Sequence, residues 1–152
     1  MKKVFAVILA VALMAAMSVT AFAANTTGGD ADITTSIAPT YTVTIPADVN
    51  VAFNATETAF GTIEVTASQI HPDKCIKVAL TTDGELNNAI DNTKVIPYAI
   101  KYSEGDAYTS ATYLTEGDKT ELSIHITAND WNAAYAGEYS DTVTFTVSYE
   151  DK

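Results

Sequence analysis

The pattern of apolar and polar positions is clearest near the carboxyl end of the chain. Between Tyr139 and Tyr149 the odd positions are apolar except Asp141, and the even positions carry Ser or Thr. A period of two residues is that of a β-strand, whose successive side chains point to opposite faces of a sheet. The pattern therefore predicts one long closing strand, with a buried apolar face and a solvated hydroxyl face.

Similar alternation recurs along the chain, separated by Gly, Pro, Asn and Asp. Short alternating strands divided by turn residues at intervals of roughly 8 to 12 residues are typical of an antiparallel β-sandwich. We therefore predict an all-β sandwich of about 7 to 9 strands, with a closed barrel as the main competitor. The further predicted strands are 41–45, 49–53, 61–67, 74–80, 95–102, 108–114 and 120–127.

Three connections in this pattern have recognisable local chemistry. Residues 81–94 are polar and predict a loop, with one helical turn that places Leu86 and Ile90 on the same side. The triplets at 104–106 and 116–118 both read Glu-Gly-Asp and predict two hairpin turns of a meander. Residues 128–137 predict a helical turn that ends at Gly137.

The amino-terminal segment has the pattern of a secretory signal. Lys2 and Lys3 precede an apolar run from Val4 to Met17, and Ala21-Phe22-Ala23 is a small-x-small cleavage pattern. An uncleaved anchor is the alternative, but the run is shorter than the roughly 20 residues that cross a bilayer. We predict a signal peptide over 1–23 and a secreted, extracellular or cell-surface location.

The remaining chain is predicted to have two parts. Residues 24–40 form a flexible leader or an edge strand in which Ile33 and Ile37 are isolated apolar residues. Residues 41–152 form the β-sandwich domain, which is long enough to bury its own core. Neither part contains a second long apolar segment, so we expect no membrane span after cleavage.

Charge and cysteine content narrow the classes of partner. The chain has 8 Lys and no Arg against 19 acidic residues, a net charge of -11. Without Lys2 and Lys3, 6 Lys face 19 acids, a net charge of -13. No basic track is available for phosphates, which excludes nucleic acid as an expected partner. Cys75 is the only cysteine, so we expect a core without disulfides; Cys75 is a buried apolar residue or a free thiol, and we favour the former.

The sequence shows no pattern of catalytic chemistry. It contains no nucleophile elbow and no Gly-rich phosphate loop, and His71 and His125 lack ligands at metal-binding spacing. We therefore expect no enzymatic activity and no cofactor. Asp83, Glu85 and Asp91 are weak calcium candidates, because their segment lacks the central Gly and the terminal Glu of an EF-hand loop.

Aromatic residues near the carboxyl end offer a different kind of site. Trp131, Tyr135 and Tyr139 are candidates for a platform on which sugar rings stack. The competing interpretation is that Trp131 closes the open end of the sandwich as a core residue.

Two stretches carry a resemblance to known surface proteins. They are Tyr-Thr-Val-Thr-Ile-Pro-Ala at 41–47 and Tyr-Ala-Gly-Glu-Tyr-Ser-Asp-Thr-Val-Thr-Phe-Thr-Val at 135–147. The second stretch resembles the last strand of fimbrial subunits, of spore-coat U type domains and of secreted surface proteins of Gram-positive gut bacteria. The resemblance implies an immunoglobulin-like sandwich with a structural or adhesive role at a bacterial surface.

The resemblance also implies how such a protein would act. We expect protein–protein contact or fimbria-like self-assembly, with a carbohydrate-binding module as the alternative. Fimbrial and spore-coat relatives commonly have a disulfide, whereas this chain has a single cysteine. Its closing strand is present in full, so a donated segment would be the leader, with Ile33 and Ile37 filling a groove on the next molecule.

Overall fold

The computed structural model describes residues 7–8, 32–103 and 105–152. The predicted signal cleavage site and residues 24–31 of the leader lie outside the described residues. The elements are β1 (Val7–Ile8), β2 (Thr40–Thr44), β3 (Glu57–Gln69), β4 (Lys74–Thr81), β5 (Glu85–Asn88), β6 (Val95–Pro97), β7 (Ala99–Tyr102), β8 (Ser110–Tyr113), β9 (Lys119–His125), α1 (Ala128–Ala133), β10 (Tyr139–Ser140) and β11 (Thr144–Asp151).

The strands form three antiparallel sheets, which confirms the predicted antiparallel β-sandwich. The sheet orders are β1-β2-β3-β9-β7, β11-β4-β8 and β10-β5-β6. The core combines Ile63 and Val65 of β3 with Ile76 and Val78 of β4, all four fully buried. These residues alternate along their strands, so the sheet that contains β3 and the sheet that contains β4 each contribute one apolar face to the core.

The closing strand is divided, contrary to the prediction of one continuous strand. β10 pairs with β5, and β11 pairs with β4 over eight residue pairs. The division falls at Asp141–Val143, beside the one polar residue in the alternating apolar series. Asp141 Oδ2 accepts hydrogen bonds from the Tyr98 and Thr82 hydroxyls, and Asp141 Oδ1 accepts one from Thr142 N. The chain therefore passes from one sheet to another at the point where the Asp141 side chain requires polar partners.

The predicted strand at 49–53 is wrong, because this segment is an irregular loop between β2 and β3. Alternation alone does not supply a partner, and both edges of β3 are already occupied, by β2 and by β9. Pro46 also ends the preceding strand, since it has no N–H for a ladder. As a result Val49 and Phe53 are exposed at the surface, Phe53 to 78%.

The prediction for residues 81–94 is also wrong. β5 forms within the predicted loop and pairs with both β6 and β10. Leu86 packs against the core, whereas Ile90 is 90% exposed, so they do not share a side. Asn88 Oδ1 accepts hydrogen bonds from the backbone N–H groups of Ile90 and Asp91, which turns the chain outward directly after β5.

The meander predicted between the two Glu-Gly-Asp triplets does not form. After the turn at Gly105 the chain crosses to the β11-β4-β8 sheet, where β8 pairs with β4. The turn at Gly117 then returns the chain to β9 in the first sheet. The buried Tyr108 donates a hydrogen bond from its hydroxyl to Val78 O at 2.8 Å, which ties the crossing segment to β4.

The helical turn near Trp131 is confirmed as α1, although its end differs from the prediction. Thr127 caps it by accepting a hydrogen bond from Asp130 N at 3.2 Å. Its C-cap is Ala134, not Gly137. Gly137 instead has a φ of +151° and passes close to the buried Asn88.

Three smaller expectations have clear outcomes. Cys75 is buried, and its Sγ donates to Asp151 O at 3.7 Å. Ser123 alternates with Leu122 and Ile124 of β9, which predicts a surface position, but Ser123 is buried. Residues 32–39 form no edge strand, and Ile33 and Ile37 are 98% and 63% exposed.

Replacing Gly137 with alanine should destabilise the fold by about 2 kcal/mol or more. An added Cβ would lie 2.5 Å from Asn88 Nδ2, and the positive φ disfavours a side chain in any case. Gly117→Ala is the control, because φ is +89° there and no atom lies within 4 Å of the added Cβ. Urea unfolding should show a clearly larger loss for Gly137→Ala; equal losses would contradict the close approach to Asn88.

Candidate functional site: an apolar groove

A groove with a volume of about 920 Å³ opens into the sandwich between loop 45–53 and segment 137–143. Ile96, Ile100 and Ile124 line it and also belong to the buried core. Phe60 and Phe145 line it as well, with their ring centroids 6.0 Å apart. The groove, called here the apolar groove, is therefore an opening into the hydrophobic core.

The backbone explains why the sandwich is open at this place. Loop 45–51 follows the end of β2, and segment 141–143 separates β10 from β11. Among the described residues, no backbone hydrogen bond joins 45–51 to another segment. One wall of the apolar groove therefore carries backbone groups outside any ladder, which an added peptide can pair with.

A polar cluster stands at the rim, formed by Tyr98, Asp141 and Thr82. The Tyr98 hydroxyl donates to Asp141 Oδ2 at 2.5 Å and lies 2.8 Å from Thr82 Oγ1. Burial and the hydrogen bond to Asp141 both raise the pKa of the Tyr98 phenol. Tyr98 is therefore a neutral donor at physiological pH, and it holds the Asp141 carboxylate in place.

The charged side chains that line the apolar groove are all acidic. They are Asp48, Glu138 and Asp141, and no Lys or His is among the lining residues. Asp48 and Glu138 are exposed, whereas Asp141 is half-buried. The groove thus joins an apolar floor to a negative rim.

The three aromatic candidates do not form one platform. Trp131 and Tyr139 line the apolar groove, whereas Tyr135 is exposed outside it, with Lys94 Nζ 4.9 Å from its ring centroid. Trp131 is held by its Nε1–H, which donates to Ala55 O at 2.8 Å.

Each of the two groove aromatics has a further contact that limits its movement. The Trp131 ring meets the Phe53 ring edge to face at 5.6 Å. The Tyr139 hydroxyl donates to Tyr135 O at 3.0 Å. Trp131 is therefore both a wall of the apolar groove and a fixed part of the sandwich end.

The calcium candidates satisfy local hydrogen bonds instead of converging. Asp83 Oδ1 accepts from Glu85 N at 3.0 Å, and Asp91 Oδ1 accepts from both the N–H and the hydroxyl of Thr93. The bonds from Thr93 lower the pKa of Asp91. Within 32–103 and 105–152, no three His, Cys, Asp or Glu side chains form a group suited to a metal ion.

A contact between Ser123, His125 and Glu57 was missed by the sequence reasoning. Ser123 Oγ lies 3.0 Å from His125 Nε2, and Glu57 Oε1 lies 3.7 Å from the same nitrogen. A catalytic triad requires the serine and the acid on opposite ring nitrogens. Here both partners share one nitrogen, and Ser123 is only 6% exposed, so the arrangement lacks that geometry.

The spacing of Ser123 and His125 predicts that they share a strand face, but only the register identifies the third member. Glu57 is paired with His125 across β3 and β9. The apolar groove likewise has only an indirect signal in the sequence, which is the interruption of the alternating apolar series by Asp141. The alternation at 49–53 predicts a strand, whereas these residues belong to a loop that forms a wall of the groove.

Comparison with known proteins supplies no relative: no family model, curated protein or solved structure matches the chain. In the part of the chain that the structure describes, no helix is long and apolar enough to cross a membrane.

The hydrogen bond between Tyr98 and Asp141 should stabilise the rim of the apolar groove. A double-mutant cycle of Tyr98→Phe and Asp141→Ala should give a coupling free energy of about 1 to 3 kcal/mol, because the acceptor is a half-buried carboxylate and alanine leaves no acceptor. Urea unfolding measures each corner of the cycle. Tyr135→Phe combined with Asp141→Ala is the control and should be additive; a coupling near zero for the Tyr98 pair would refute the assignment.

Proposed function

We propose that the chain is a secreted structural or adhesive protein of a bacterial surface, which acts by protein–protein contact and not by catalysis. The main support is the exposed segment 32–39, called here the leader arm, on the surface of an otherwise well-packed sandwich. Ile33 and Ile37 are exposed in residues 32–39, directly before β2. Two large apolar side chains exposed in one short segment can serve as anchors in the groove of another protein.

The edge of β2 adds a second support. In the structure its outer side pairs with β1, which lies inside the predicted signal peptide. With the predicted cleavage after Ala23, β1 leaves the fold and the outer edge of β2 is open. An open edge next to an exposed arm favours pairing with another chain.

The negative charge and the signal-like start fit an extracellular setting, and the resemblance of 135–147 to fimbrial and spore-coat proteins agrees with it. The leader is then the assembly segment, with Ile33 and Ile37 as its anchors. Fimbria-like assembly is the specific form of contact that we propose.

Replacing Ile33 with serine should weaken self-association of the secreted protein by about tenfold or more, since burying an isoleucine contributes roughly 1.5 to 3 kcal/mol. Analytical ultracentrifugation over a range of concentrations measures this, together with recovery of the protein in the cell-envelope fraction. Ile90→Ser is the matched control, because Ile90 is similarly exposed but lies outside the arm.

A protein that stays monomeric at high concentration and does not associate with cells, envelope or matrix would contradict the proposal. Equal effects of Ile33→Ser and Ile90→Ser would contradict the role of the arm.

A carbohydrate-binding module is the second candidate, favoured by the presence of Trp131 and Tyr139 in one groove. Aromatic rings beside a concave surface stack readily on sugar rings. The tether of Trp131 to Ala55 and its contact with Phe53 weigh toward a structural role for this ring.

Polysaccharide pull-down and a glycan array separate the two functions. On the leading proposal, no sugar binding that depends on Trp131 is expected. Binding that is abolished by Trp131→Ala, in a variant with unchanged circular dichroism, would place the carbohydrate function first. Tyr135→Ala is the control, because Tyr135 lies outside the apolar groove.

A further inference from the structure

We infer that the apolar groove binds an extended segment of another protein that alternates apolar and basic residues. The inference deepens the proposed function and rests on it, since it names the partner chemistry of a protein that acts by contact. It concerns a surface separate from the leader arm.

The floor of the groove selects apolar side chains. Ile96, Ile100 and Ile124 are at its base, and the rings of Phe60 and Phe145 stand beside them. A volume of about 920 Å³ is at the upper end of the range for small-molecule pockets, so it has space for several side chains. A segment with an apolar residue at every second position places them all on one face.

The wall of the groove suits an extended backbone. Residues 45–51 form no backbone hydrogen bond with another segment of the described chain. Pairing with these groups would provide main-chain affinity in the manner of strand addition, while the floor would provide side-chain specificity.

The rim determines the charge of the partner. Asp48, Glu138 and Asp141 line the groove without a basic residue among them. Lys or Arg side chains at the outward positions of a bound segment would lie near these carboxylates. Complementary charge accelerates association and disfavours partners of the same sign.

The same charge argument separates this site from the chain's own leader. Residues 24–40 contain Asp30 and Asp32 and no Lys or Arg. A second copy that donated its leader into this groove would bring acidic residues to an acidic rim. We therefore assign the groove to a partner of opposite charge and leave the leader to self-association.

Peptide binding to the protein purified after secretion tests the inference. The probe is a soluble peptide of seven residues that alternates Lys with Val and Ile. Matched peptides carry Glu in place of Lys, or Ser in place of Val and Ile. Trp131 is the only tryptophan and lines the groove, so its fluorescence reports occupancy directly.

The Lys peptide should bind with higher affinity than both matched peptides. Its affinity should fall as the salt concentration rises. Asp48→Asn with Glu138→Gln should lower its affinity by roughly 2-fold to 30-fold, the range for two exposed ion pairs. Asp73→Asn with Glu116→Gln is the control, because it removes the same charge from exposed residues outside the groove. Unfolding midpoints verify that both double variants are folded.

Three results would overturn the inference: no binding of the Lys peptide at millimolar concentration, equal binding of the Glu peptide, or tighter binding of a peptide with the leader sequence 24–40. The last result would assign the groove to a second copy. If the Lys peptide fails while Ile33→Ser still weakens self-association, only the groove assignment is wrong. If self-association is absent but the Lys peptide binds, the assembly proposal is wrong.

Discussion

The open side of this sandwich depends on one polar residue in an apolar strand. A carboxylate buried without partners is strongly unfavourable, so Asp141 cannot continue the series of core-facing residues from Tyr139 to Tyr149. It lies half-buried and accepts hydrogen bonds from Tyr98 and Thr82. The strand divides at this point, and the two parts join different sheets. The division leaves the core open beside segment 137–143, which is the apolar groove.

The rest of the sandwich is well packed, so the apolar groove is a local opening and not a sign of loose packing throughout. Ile63, Val65, Ile76 and Val78 are fully buried, and β4 lies between β8 and β11. Among the described residues, no buried side-chain nitrogen or oxygen lacks a hydrogen-bond partner. The groove is therefore a local opening, at the place where the chain passes from one sheet to another, in a sandwich whose polar interior is satisfied.

The leader and the apolar groove are two exposed features whose charges have the same sign. The leader is mostly polar, with Ile33 and Ile37 as its large apolar residues and Asp30 and Asp32 as its charges, whereas the groove has an apolar floor and an acidic rim. Two surfaces of the same charge are poor partners for each other. This is why we propose separate roles for them, self-association for the leader and recognition of a basic segment for the groove. Trp131 belongs both to the sandwich and to the groove, because its indole N–H donates a hydrogen bond to Ala55 O while its ring forms part of the groove wall.

The sequence by itself determined the class of fold and most of the strands. Alternation of period two identified β4, β9 and the central part of β3, because each has one face against the core. The helical turn at Trp131 was also predicted, and a cap formed by Thr127 and Asp130 stabilises it, although the turn ends at Ala134 and not at Gly137.

Only the tertiary structure decided which strand pairs with which and where the chain crosses between sheets. Residues 49–53 alternate like a strand but have no free edge of β3 to join. The segment that contains Tyr108 crosses to β4, where the Tyr108 hydroxyl donates to Val78 O. The apolar groove belongs to this second group. Its walls come from loop 45–53 and segment 137–143, which are far apart in sequence, and periodicity describes one segment at a time.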